Sequence, residues 1–329
     1  MTNRELVKSL KAKIFDYRKD EISGIDVDHI TAWVRQFDKD VRDPILSEVK
    51  HVLDSTYLGK DSVQTFLAGL ASHKQLTSGE PKKFWKNATV LDIQRAGSSQ
   101  SEMLEVFDGI LEHEIGFGVG GCAKDSETAV YIDDVVFSGG HVRGDLVPWI
   151  EEAAPKKVEL HIIVLAYHTG GQYFANEKLK EAAKKVGKSV NIHWWRIREL
   201  EDRKYYINNS DVLRPVRISD DDAVKEYAAE LAKQGYPPVL RKPGQSGPAN
   251  LFSSEDGRDL LEQQLLIKGA HIRQICPYLN EYQRPLGNSV LRTLGFGSLI
   301  VTFRNCANNC PLALWAGDPW IPLFPRKTN

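Results

Sequence analysis

Four short apolar runs, at 88–93, 128–132, 158–166 and 190–195, alternate with stretches whose apolar residues return every three or four positions. Strand-like runs joined by long helix-like segments imply parallel strands with crossover helices. The spacing predicts those helices over 99–114, 140–153 and 171–186. The expected fold class is α/β, a parallel sheet with helices on both faces, and such sheets bind ligands beyond the carboxyl ends of their strands.

Residues 129–141 place chemistry at that position. They read Ala-Val-Tyr-Ile-Asp-Asp-Val-Val-Phe-Ser-Gly-Gly-His, an apolar strand ending in Asp133 and Asp134, then a small-residue loop opening a helix with Val142, Leu146, Trp149 and Ile150. The first N–H groups of a helix lack intrahelical partners and lie at its positive end. Glycines let an anion approach them, so Ser138, Gly139, Gly140 and His141 form a candidate phosphate cradle. Two adjacent carboxylates can accept hydrogen bonds from vicinal ribose hydroxyls, or flank a Mg2+ ion that bridges hydroxyl and pyrophosphate oxygens. A solvated turn at an ordinary sheet edge would also show paired acids; the Ser-Gly-Gly placement favours the pocket. A second loop follows the 88–93 run, where Arg95 offers a charged fork and Ala96, Gly97 and Ser98 precede another helix. Alone, Arg-Ala-Gly is a common turn, and its weight comes from coinciding with the Asp-Asp strand.

These two segments resemble type I phosphoribosyltransferases. In that family a hydrophobic strand, Asp-Asp and a Thr/Ser-Gly-x-Thr loop bind phosphoribosyl pyrophosphate (PRPP), and here His141 stands where the last threonine is usual. The resemblance covers roughly 87–216. It implies that Asp133 and Asp134 hold the ribose and Mg2+, that 137–141 wrap the 5′-phosphate, and that Arg95 with the 94–100 loop meets the pyrophosphate. The ligand would be PRPP or a nucleotide, and the reaction a transfer at the ribose anomeric carbon. The family's mobile catalytic loop would fall in 115–127, which holds Gly116, Gly118, Gly120 and Gly121 but no clear copy of the family's loop sequence. That segment reads equally as a lid or as a flexible turn. The helical amino-terminal region and the Arg304-Asn-Cys-Ala-Asn-Asn-Cys-Pro segment are similar to phosphoribosyltransferase-like effectors of bacterial antiphage systems, some beside retron reverse transcriptases. That likeness implies a defence role with a partner such as a reverse transcriptase–RNA complex. The competing expectation is a nucleotide-sensing module that has lost catalysis and works through a partner.

The texture divides the chain into a helical region at 1–75, an α/β core at 76–218 and a helical and strand extension at 219–329. With 43 Lys and Arg against 44 Asp and Glu, the chain has a net charge of −1. That balance argues against autonomous binding to nucleic acid, whose phosphates demand basic surface. No apolar stretch is long enough to span a membrane and the start is mixed in charge, so the expected location is cytoplasmic. Cys306 and Cys310 have zinc-like spacing but no second pair nearby, and they read as packing residues. Asn305, Asn308, Asn309, Trp315 and Trp320 can be read as base-recognition groups or, with more weight, as turn and core residues.

Overall fold

A computed structural model describes residues 2–19, 21–95 and 97–326. Helices α1 (Asn3–Lys13), α2 (Val27–Arg35) and α3 (Arg42–Thr56) come first, then strand β1 (Tyr57–Leu58) and helices α4 (Lys60–Ala71), α5 (Lys74–Thr77) and α6 (Pro81–Asn87). The central segment runs β2 (Thr89–Val90), α7 (Ser99–Ile115), β3 (Thr128–Val136), α8 (Gly140–Glu152), β4 (Lys157–His168), α9 (Thr169–Lys185), β5 (Ser189–Trp195) and β6 (Arg198–Leu200). The remainder holds α10 (Asp222–Lys233), α11 (Glu255–Ile275), β7 (Val301–Thr302) and α12 (Leu312–Trp315).

The chain forms two compact units, residues 61–200 and the combination of 1–60 with 201–329. This division differs from the three-part texture of the sequence. Residues 61–87 join the sheet-bearing unit because their aromatics pack there: Trp85 meets Phe107 edge-on at 5.1 Å and Phe84 meets His161 at 5.8 Å.

In the 61–200 unit the strands are all parallel, ordered β2-β3-β4-β5, with β6 pairing further along β4. Side chains alternate between faces. Ala129, Tyr131, Leu160, Ile162 and Val164 share one apolar cluster with Val142, Leu146 and Ile150 of α8 and Leu179, Ala182 and Ala183 of α9. The opposite face carries His161, which meets Phe84 of α6. The α/β fold with a parallel sheet and helices on both faces is thus as the alternating pattern implies. The strand at 128–132 continues to Val136, so Asp133 and Asp134 lie within its last turn of pleat, not past its end.

In the other unit, α1, α2 and α3 pack together and α11 packs on α3. β1 and β7 form a short parallel pair. The Asn-rich segment builds structure: Asn288 N–H donates to Asn308 O, and Asn309 Nδ2 donates to Asn288 O at 2.9 Å. Trp315 and Trp320 are buried and donate to the carbonyls of Cys310 and Ala313. Cys306 and Cys310 are buried free thiols, in keeping with packing residues. Among the described residues no helix is long and apolar enough to cross a membrane.

Candidate functional site

The carboxyl end of β3 gathers most of the residues singled out above. Asp133 is only 3% exposed and Asp134 is half-buried. Asp133 Oδ1 accepts from Asp134 N–H at 2.8 Å, and the Ser99 hydroxyl also hydrogen-bonds this carboxylate. Burial first, and the adjacent Asp134 charge second, push the Asp133 pKa up to about 6 from an ordinary 3.8. Tyr131 Oη lies 2.9 Å from Asp145 Oδ2 and 3.2 Å from Asp133 Oδ2. One phenolic proton can serve only one carboxylate at a time. The shorter contact assigns it to Asp145, and protonated Asp133 can donate to the phenol in turn.

The small-residue loop follows directly. Gly139 is the N-cap of α8 in the left-handed region, φ 75°, and no side chain caps this helix start. A Cβ on Gly139 would collide with the Gly171 carbonyl oxygen, and one on Gly171 with the Phe137 carbonyl oxygen. Both positions therefore require glycine for close passage of α9 across the loop. His168 Nδ1 stands 3.0 Å from Val136 O, and the Phe137 ring stacks on the His168 ring at 5.1 Å. Ser138, Gly140 and His141 are exposed around this start, which leaves the anion-attracting end of α8 open to solvent.

The 94–100 loop reaches the same place. Gln100 Oε1 accepts from the Ile93 and Gln94 N–H groups, both at 2.8 Å, and Gln94 Oε1 accepts from Gln100 N–H at 3.0 Å. This reciprocal lock holds the turn in which Gly97 adopts φ 88°. Arg95 N–H donates to Asp145 Oδ1 at 3.0 Å, so Asp145 joins this loop to Tyr131 and through it to Asp133. The Arg95 side chain, Gly97 and Ser98 are exposed, and Ser98 Oγ donates to Glu102 Oε1 at 2.6 Å. Ala96 lies outside the described residues.

The glycine-rich 115–127 segment is elsewhere. Val119 N–H donates to Asp108 Oδ1 at 2.6 Å, and Ala123 bridges Thr89, which pairs with Ala129 near the start of β3. Asp133 is four residues further on, roughly 13 Å along the strand. A lid over the acids is therefore not what this segment forms; its glycines make a tied-down turn at the amino ends of the strands.

Ser99, Tyr131, Asp145 and Gly171 belong to the site and were not singled out from the sequence. Tyr131 could have been, since a residue two before Asp133 shares its face of the strand. Asp145 sits on a helix among apolar neighbours and gives no local signal.

A family model described as PRTase-CE matches residues 30–326, which span both units. No curated protein and no solved structure matches the chain.

Proposed function

The chain belongs to the PRTase-CE family, which makes it phosphoribosyltransferase-like, and we propose that it binds PRPP or a nucleotide at the carboxyl end of β3 and acts at the ribose anomeric carbon. The observation that carries this reading is buried Asp133 beside half-buried Asp134, five residues before a left-handed glycine that opens α8. In this reading Asp133 and Asp134 accept the ribose hydroxyls, and Ser138, Gly139, Gly140 and His141 hold the 5′-phosphate. Arg95, with the Ala96-Gly97-Ser98 turn, meets the pyrophosphate. As the bond from the anomeric carbon to pyrophosphate breaks, its electron pair leaves with pyrophosphate and positive charge grows on the ribose. The chain's part is to place fixed charges around both ends, without a covalent nucleophile.

Mg2+ suits this donor set, because that ion is usually held by one or two carboxylates together with substrate phosphates. Among the described residues no three His, Cys, Asp or Glu side chains are grouped to hold a metal by themselves. Burial and Asp134 disfavour the charge on Asp133, and a cation would relieve both. When bound it would offset the charge of the departing pyrophosphate.

A second reading is ligand sensing without turnover. It is favoured by His141 in the phosphate loop and by the 115–127 segment standing away from the acids. Calorimetry with PRPP and ATP in the presence of Mg2+, beside mass spectrometry of the products, separates the two. Saturable binding with PRPP consumption supports transfer, binding alone supports sensing, and binding untouched by Asp133→Asn with Asp134→Asn would overturn both.

We extend the proposal to bacterial antiphage defence with a partner such as a reverse transcriptase–RNA complex, supported by the likeness of the helical amino-terminal region and of 304–311. Phage plating on cells carrying the intact operon checks this. Protection should vanish with Asp134→Asn, and unchanged protection would sink the link between pocket and defence.

A further inference from the structure

Asp145 is a buried acid outside any ion pair among the described residues. It sits on α8 one turn after Val142 and next to Leu146, which share an apolar cluster with Tyr131, and it is only 5% exposed. Its Oδ1 accepts from Arg95 N–H at 3.0 Å and its Oδ2 from Tyr131 Oη at 2.9 Å. An apolar side chain there would avoid desolvating a carboxyl group, so packing alone gives no reason for an acid. Departures of that kind cluster at functional sites.

The bonds that Asp145 makes point to a task. The reciprocal Gln94–Gln100 bonds, with Gln94 Nε2 donating to Ser99 Oγ at 2.9 Å, fix the shape of the 94–100 loop from within. They do not fix where the loop lies against β3 and α8. Two other hydrogen bonds carry it across: the Ser99 hydroxyl to Asp133, and Arg95 N–H to Asp145. Tyr131 Oη lies between these two carboxyl groups, so the loop, Asp145, Tyr131 and Asp133 close into one ring of contacts. The Arg95 main chain is thereby held in a fixed position relative to the acids, while its side chain stays exposed.

We propose that Asp145 is a positioning residue for the pyrophosphate end of the site: by holding the Arg95 main chain, it sets where the 94–100 loop presents its charge, in register with the ribose-binding acids. This role rests on the PRPP reading above. It makes a buried side chain responsible for the preference for a pyrophosphate-bearing ligand over one without pyrophosphate.

Calorimetric titration of PRPP and of ribose 5-phosphate into the full chain, each with Mg2+, tests it, because only PRPP carries the pyrophosphate that this loop would meet. Wild type should bind PRPP more tightly than ribose 5-phosphate. Asp145→Leu should weaken PRPP by roughly tenfold or more and leave ribose 5-phosphate within about threefold of wild type. Asp145→Ala, which adds no bulk, should do the same. Asp145→Asn keeps an oxygen for the Arg95 N–H and should hold PRPP within about threefold of wild type. Arg95→Ala should weaken PRPP in wild type, and by clearly less in the Asp145→Leu background, since the two act through one loop. Thermal melts establish that each variant is folded. A preference for PRPP unchanged in Asp145→Leu and Asp145→Ala, whether neither ligand or both are weakened, would overturn this role while the PRPP reading stands. So would Asp145→Asn as weak as Asp145→Leu, or additive losses in the double variant. A wild type that binds neither compound would overturn that reading, and the role with it.

Discussion

At Asp133, burial opposes the charge that ligand binding needs. Its folded pKa, about 6, lies above the ordinary 3.8, so the stability it contributes is full below about pH 4 and is lost as pH rises through about 6. Asp133→Asn should therefore be more stable than wild type near pH 7.5, by on the order of 2 kcal/mol, and the gap should close near pH 4. Urea unfolding at the two pH values measures it; a wild type that is the more stable at the higher pH would contradict the sign. Burial raises the Glu262 pKa as well, but there buried cations meet the carboxylate. It is fully buried and accepts from Arg241 Nη2 at 3.0 Å, Arg258 Nε at 2.9 Å and Arg214 N–H at 2.9 Å. Glu262→Ala would leave buried Arg258 without its carboxylate and Arg241 with Glu255 alone, and should cost about 3–5 kcal/mol in the same measurement.

Between elements, the passage of α9 across the start of α8 depends on an absent side chain. Gly171→Ala would drive a methyl group into the Phe137 carbonyl and displace the loop that ends at Gly139. The expected result is a melting temperature lowered by several degrees, corresponding to about 1–3 kcal/mol, with PRPP affinity reduced further than the stability loss explains. Gly109→Ala, on α7 with open space around it, is the matched control and should do neither. Which elements form was largely legible, because 3.6-residue and two-residue periodicities are local properties: the helices at 99–114 and 171–186 match α7 and α9 to within a residue or two. The first strand was legible only in part. Of 88–93, Thr89 and Val90 form β2, and Leu91 N–H still donates to Val130 O. The acids and the phosphate loop were legible because they are contiguous. Asp145 and Gly171 were not, since their roles arise from contacts across 50 residues to Arg95 and across 32 residues to Gly139.

For the whole molecule, the consequential fact is that one unit is closed by both ends of the sequence. Val49, Val52 and Leu53 of α3 face Leu261 and Leu265 of α11 around a small apolar cavity. Trp33 Nε1 donates to Ala313 O at 2.8 Å, and Tyr17 Oη donates to Pro325 O at 3.1 Å. A chain ending at Leu200 would leave these groups without partners. Limited trypsin digestion of that fragment should remove about the first 60 residues and spare a core beginning near Asp61, as the compact units imply. Equal protection of the first helices in the fragment and the full chain would contradict this.

The same closure has a temporal side. A ribosome releases the first helices long before α11, because residues 61–200 are translated in between. At roughly 5–20 residues per second, those 140 residues alone take about 7–28 s. Throughout that interval Val49 and Leu53 lack α11 and Trp33 lacks the Ala313 carbonyl, so co-expression with a holding chaperone should raise the soluble yield of the full chain, and an unchanged yield would contradict this.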